Sequence, residues 1–201
     1  MRGVRLRAEQ TGNTIQIIAE FDQAATRGER YDTGAAVALD VWVPRNANVQ
    51  VKSGDGRLRL SGIEGEIDLD TGDGAVDVTE SKGRLRVQTG DGRVRVTGFD
   101  GDATVQTGDG RIALDGRFTK LSARTGDGAI TLALPAGMNA RIQTDSERVI
   151  NDISAVAEEA ETETPERRVR HWRVGSGSGS QITLRTGDGQ IFLRRTGEER
   201  E

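Results

Sequence analysis

An aspartate held between two glycines recurs at a constant interval, and no other residue set here has a clearer claim to chemistry. Asp55, Asp73, Asp91, Asp109 and Asp127 stand eighteen residues apart. Their flanking glycines are Gly54 and Gly56, Gly72 and Gly74, Gly90 and Gly92, Gly108 and Gly110, and Gly126 and Gly128. Thr71, Thr89, Thr107 and Thr125 open four of these turns, Ser53 opens the first, and Thr186-Gly187-Asp188-Gly189 repeats the motif. If the turns stack, neighbouring carboxylates lie about 5 Å apart, each pair costing about 1 kcal/mol in a water-like dielectric. Calcium, which favours clustered carboxylates and carbonyls, is the cation such a column would attract. The competing reading is structural: each Asp caps its own turn through backbone N–H groups, and the glycines supply positive φ. Calcium-binding β-rolls carry Asp in each nine-residue half-turn, whereas here it occurs once per eighteen residues. The ten glycines are therefore expected to be structural turns, with the five aspartates as the calcium alternative.

Other candidates are weaker. The Thr column resembles the hydroxyl ladders of ice-binding solenoids, but those need a flat Thr-x-Thr face and each Thr here precedes a glycine. A hydrogen-bonded ladder is the expectation. His171 is the single histidine, beside Trp172, and the chain has no cysteine. A lone imidazole without partners is a poor general base or metal site. The Gly-x-Gly strings open no helix and so form no dinucleotide site. Acidic residues are plentiful, yet nothing singles out a glycosidase-type pair. The expectation is a chain that is not an enzyme, with no catalytic residue and no cofactor unless calcium binds.

The elements that carry these turns follow from the same period. Counting from each turn's Thr or Ser, five residues on lie Leu58, Val76, Val94, Ile112 and Ile130, and seven on Leu60, Val78, Val96, Leu114 and Leu132. Fourteen on lie Ile67, Leu85, Ala103 and Leu121, and sixteen on Leu69, Val87, Val105 and Ala123. A local spacing of two is strand, not helix. Apolar columns recurring every nine residues exclude the hexapeptide left-handed helix, whose columns recur every six. Outward charges alternate along the expected stack: Arg59, Asp77, Arg95; Glu66, Arg84, Asp102, Lys120; and Asp68, Arg86. Stacked opposite charges fix the register, because slipping by one coil sets like charges together. The predicted fold is all-β: a single-domain parallel β-solenoid of about 18 residues and two short strands per coil.

The flanks are less regular. Residues 1–34 read as an N-terminal hairpin and cap, with strands on either side of Thr11-Gly12-Asn13. The solenoid is expected over 35–195, beginning with the alternation Val37, Leu39, Val41 and Val43. Leu134 to Thr144 parallels Val43 to Ser53, leading into a worn turn at Thr144-Asp145-Ser146-Glu147. An acidic surface excursion is expected at 154–168, a turn at Gly175 to Ser180, and a frayed tail at 196–201. The terminal strand around Gln190 to Arg194 is expected to leave an open edge. Composition agrees: 27 glycines against 3 prolines, and 3% aromatics. The net charge of −4 excludes a globally basic nucleic-acid binder. No apolar run reaches a membrane-spanning length, and the residues after Met1 lack the apolar stretch of a secretion signal.

With its periodic Thr-Gly-Asp-Gly turns, the Pro135-Ala136-Gly137 step and the Gly-rich approach to the last strand, the chain resembles a bacterial family. These are adhesin-type β-strand-repeat domains of unknown function, related to the toast-rack domains of cell-envelope stress proteins. The resemblance covers about Val37 to Arg195. It implies a non-catalytic, adhesin-like domain of the cell envelope, extracytoplasmic, presenting a rigid charged surface to an envelope protein or surface polymer. A monomer is expected over a filament. The alternatives are a self-assembling, bactofilin-like scaffold and a calcium-binding β-solenoid.

Overall fold

The computed structural model describes residues 4–21, 37–146, 148–153, 155–158 and 169–197. The described residues hold sixteen strands and no helix. The chain divides into two compact units, Met1–Val43 and Pro44–Glu201.

In the first unit β1 (Val4–Thr11) pairs antiparallel with β2 (Thr14–Phe21), with Thr11 opposite Thr14. Gly12, first of the two loop residues, has φ 59°, the conformation a type II′ hairpin turn requires there. The strand expected from Val37 onward is not formed. Residues 37–43 have no regular structure, and Leu39, Val41 and Val43 are 44–50% exposed. Alternation provides a face, but a strand also needs a neighbour for its N–H and C=O groups, and none pairs with this segment among the described residues.

The second unit carries one fourteen-stranded sheet. Its strands are β3 (Val49–Ser53), β4 (Leu58–Ser61), β5 (Glu64–Thr71), β6 (Val76–Thr79), β7 (Lys82–Thr89), β8 (Val94–Thr107) and β9 (Ile112–Thr125). After them come β10 (Ile130–Leu134), β11 (Ala140–Thr144), β12 (Arg148–Asn151), β13 (Val156–Glu158), β14 (Arg170–Val174), β15 (Ser180–Thr186) and β16 (Gln190–Arg195). One ladder runs β3-β5-β7-β8-β9-β15-β11-β14-β13, and a second runs β4-β6-β8-β9-β10-β16-β12. The long strands β8 and β9 belong to both.

Registers follow the eighteen-residue period, with Ile67 opposite Leu85 and Val76 opposite Val94. The four apolar columns form the core. Ile67, Leu69, Val76, Val78, Val87 and Val94 are at most 1% exposed, each burial contributing roughly 1.5–3 kcal/mol. Leu58 and Leu60 are only partly buried, because among the described residues β4 pairs on one side alone. A corner column that the period count overlooked completes the core: Ile63, Ser81, Phe99 and Phe118 are all buried. The two rings stack at 6.1 Å, and Ser81 Oγ accepts from Ile63 N and donates to Thr79 O.

The sheet departs from a uniform parallel stack in two ways. It is mixed, since β14 runs antiparallel to both β11 and β13. Its order also leaves chain order: β15 lies between β9 and β11, and β16 between β10 and β12. The open edge expected at Gln190 to Arg194 is therefore covered on both sides. Free edges among the described residues are β3, β4, β12 and β13. Of the expected acidic excursion only 155–158 are described, and they include β13. Residues 22–34 and Glu147 lie outside the described residues, as does the tail beyond Gly197.

Candidate functional site

Every Gly-Asp-Gly turn lies directly on the next, and the stack engages the Thr hydroxyls and one oxygen of four of the aspartates. Thr89 Oγ1 donates to Gly72 O at 2.8 Å, with Gly74 O at 3.2 Å. Thr107, Thr125 and Thr186 repeat this pair of contacts, and Thr71 bonds Gly54 O. All five hydroxyls sit on residues at most 9% exposed. Backbone bonds join the same levels: Gly72 N donates to Gly54 O at 2.8 Å, and Gly90, Gly108, Gly126 and Gly187 donate to the glycine below. The Thr column is thus a hydrogen-bonded ladder.

The aspartates do not cap their own turns as expected. Asp73 Oδ1 accepts from Asp91 N at 3.1 Å, Asp91 Oδ1 from Asp109 N at 3.1 Å, and Asp109 Oδ1 from Asp127 N at 3.2 Å. Asp55 Oδ1 lies 3.4 Å from Asp73 N. Each of these four carboxylates reaches one coil along the stack to the amide of its successor. Hydrogen bonds to a charged acceptor contribute roughly 1.5–3 kcal/mol, enough to offset about 1 kcal/mol of repulsion between neighbours.

This geometry also changes the reason for the glycines. None of the ten has positive φ. Their requirement is space. A Cβ on Gly74, Gly92, Gly110 or Gly128 would fall under 3.0 Å from the carbonyl oxygen of the glycine one coil below. A Cβ on Gly72, Gly90, Gly108 or Gly126 would meet the Oδ1 of the preceding coil's aspartate just as closely. The first glycine thus clears room for the carboxylate, and the second for the backbone. Gly54 and Gly56, at the free end, meet little: nothing within 4 Å and Ser53 Oγ at 3.2 Å respectively.

The worn turn is displaced from its expected place. Thr144 pairs with Leu184, so it occupies an inward apolar column, where its hydroxyl accepts from Trp172 Nε1 at 3.1 Å. Ser146 takes the hydroxyl position instead, donating to Gly189 O at 2.9 Å and accepting from Arg148 N. Asp145 Oδ1 accepts from Thr186 N. His171 lies on β14 between Gln143 and Glu158. Among the described residues, no group of three or more His, Asp or Glu is arranged to hold a metal ion.

Outward charges pair as expected over most of the stack: Arg59 with Asp77 and Asp77 with Arg95, Glu66 with Arg84 and Arg84 with Asp102, and Asp68 with Arg86. Arg84 and Glu66 approach to 3.6 Å, both exposed. The expected Asp102–Lys120 step is missing, because the β8–β9 register shifts between Gly101 and Ala103. An unforeseen file runs Glu64, Lys82, Asp100, Arg117, joined by an Arg45–Glu64 ion pair at 3.3 Å. The signal was present in the sequence, but it lies at a corner where the two-residue alternation breaks.

A shallow cavity of about 180 Å³ opens between the Leu134–Asn139 step and Gly175, lined also by Ile153, Val174 and Arg195. No described helix is long and apolar enough to cross a membrane. No curated protein and no solved structure matches the chain significantly. The family model described as Toastrack DUF4097 matches residues 39–194, most of the chain and every stacked turn, and the chain belongs to that family.

Proposed function

We propose that this protein is a non-catalytic, adhesin-like structural domain of the bacterial cell envelope, built as a β-solenoid and presenting a rigid charged surface to a partner. One observation carries the reading. Threonine hydroxyls of the repeated motif are spent on glycine carbonyls of the neighbouring coil, and one carboxylate oxygen of each of Asp55, Asp73, Asp91 and Asp109 on the amide of the next aspartate. What the stack offers outward is paired charge in fixed register. The partner is an envelope protein or surface polymer. A test is capture of partners from the envelope fraction of the source organism by the full-length protein, with and without chelator. Specific envelope partners, retained in chelator, are the expected result. Capture abolished by chelator favours the calcium-binding solenoid, and turnover of a polysaccharide by the purified protein contradicts the non-catalytic reading.

A self-assembling scaffold is the second reading. It is favoured by β3 and β4, which are free edges among the described residues and whose Val49, Val51, Leu58 and Leu60 are only partly buried, since uncovered strand edges are templates for pairing. Light scattering across concentrations separates the two: a mass that stays monomeric at every concentration removes the scaffold.

A further inference from the structure

The last coil of the chain is not the last coil of the stack. β15 pairs with β9 on one side and β11 on the other, and β16 with β10 and β12. The intervening turn is held the same way. Thr186 Oγ1 donates to Gly126 O and Gly128 O, Gly187 N bonds Gly126 O, Asp145 Oδ1 accepts from Thr186 N, and Ser146 Oγ donates to Gly189 O. All these partners belong to residues 112–151. Residues 180–195 thus fill a slot between two coils that are consecutive in the chain.

Its covalent tie to that slot is slight. Gly175 to Gly179 carries the chain from β14 across the start of β11 to β15, with Gly175, Gly177 and Gly179 at φ 61°, 70° and 119°. Asn139 anchors the crossing, accepting from Ser176 N through its side chain and from Ser180 N through its backbone carbonyl. Val174 and Ser180 both lie opposite Ala140, on its two sides. The link therefore spans two strand spacings, about 9.6 Å.

We propose that the β15–β16 coil is an exchangeable element, and that a second copy of this chain can supply it to the slot, joining two molecules through exchanged coils. The slot's four flanking edges demand a strand pair whether or not it is covalently attached, and exchange of an identical element is a low-cost route to a dimer. This assembly goes beyond the envelope reading and does not depend on it.

Shortening the link tests the idea in the full-length chain. Deleting Ser176 to Gly179 leaves Gly175 alone between Val174 and Ser180, a reach of about 7 Å, too short to cross β11. The expected product has twice the monomer mass in light scattering, with the amides of Ile182, Leu184, Ile191 and Leu193 still protected from hydrogen exchange. A monomer, with those amides protected or not, overturns the proposal. If the shortened chain is insoluble, a full-length protein with a protease site in the link, cleaved after folding, decides instead. Uptake of a labelled peptide of residues 180–197, and refusal of the same peptide carrying Leu184→Asp, supports the proposal. Retention of the native coil without uptake, or equal uptake of both peptides, overturns it.

Discussion

Gly92 and Gly56 hold the same place in the motif, yet the fold asks different things of them. A Cβ on Gly92 would fall under 3.0 Å from the Gly74 carbonyl, backbone that cannot swing aside, whereas one on Gly56 meets only Ser53 Oγ at 3.2 Å. Gly92→Ala is expected to cost about 3 kcal/mol or more in denaturant unfolding, and Gly56→Ala less than about 1. Similar losses at both positions would show that the coils do not approach so closely. At Asp91 the side chain matters as an acceptor for Asp109 N. Asp91→Asn keeps an oxygen there and is expected to stay within about 0.5 kcal/mol of the native protein, while Asp91→Ala loses about 1–2. If Asn were as damaging as Ala, negative charge itself would be required, and a bound cation would be the natural reason. At this scale the sequence showed which residues share a column but not whom they bond. Spacing cannot distinguish an aspartate that caps its own turn from one that reaches the next coil, nor a glycine needed for φ from one needed for clearance.

Among the elements, register rests on charge as well as on the apolar columns. Arg84 sits between Glu66 and Asp102. Arg84→Glu sets three acidic side chains in succession, with an expected loss of about 0.5–1.5 kcal/mol that shrinks at high salt. A loss independent of salt would mean that the arginine stem, not its charge, was the contributor. Glu80 is the one described non-glycine with positive φ, 47°, in line with Gly62 and Gly98. Glu80→Gly is expected to raise stability by up to about 1 kcal/mol, because a side chain in the left-handed region is strained. A fall in the unfolding midpoint would show that the Glu80 side chain contributes more than its backbone costs. The strands were legible wherever alternation had a neighbour at the right pitch. Residues 37–43 had the alternation without the neighbour, and the Asp102–Lys120 pairing failed where the β8–β9 register shifts.

For the whole molecule, the periodic wall was readable and its final assembly was not. Any Thr-Gly-Asp-Gly turn fits on any other, so a period fixes the columns while leaving the order of the coils open. A clue lay in the quality of the turns: Thr186 to Gly189 is as well formed as the interior turns, whereas Thr144 to Glu147 is worn. In the structure the intact turn is interior and the worn one lies outside it. The mixed sheet has a separate origin in β14, which runs antiparallel to β11, whereas β15 on the other side of β11 runs parallel to it. The central claim is that the repeated turn is a corner of the stack and not a ligand site. Thermal unfolding of the full-length protein in millimolar calcium and in chelator tests it most directly, because a ligand bound only by the folded state raises the midpoint, the more so the further its concentration exceeds Kd. The midpoint is expected to agree in the two conditions to within about 1 °C. A rise of several degrees in calcium, lost when Asp73, Asp91 and Asp109 are changed to Asn, would contradict the claim and make the aspartate column a cation site.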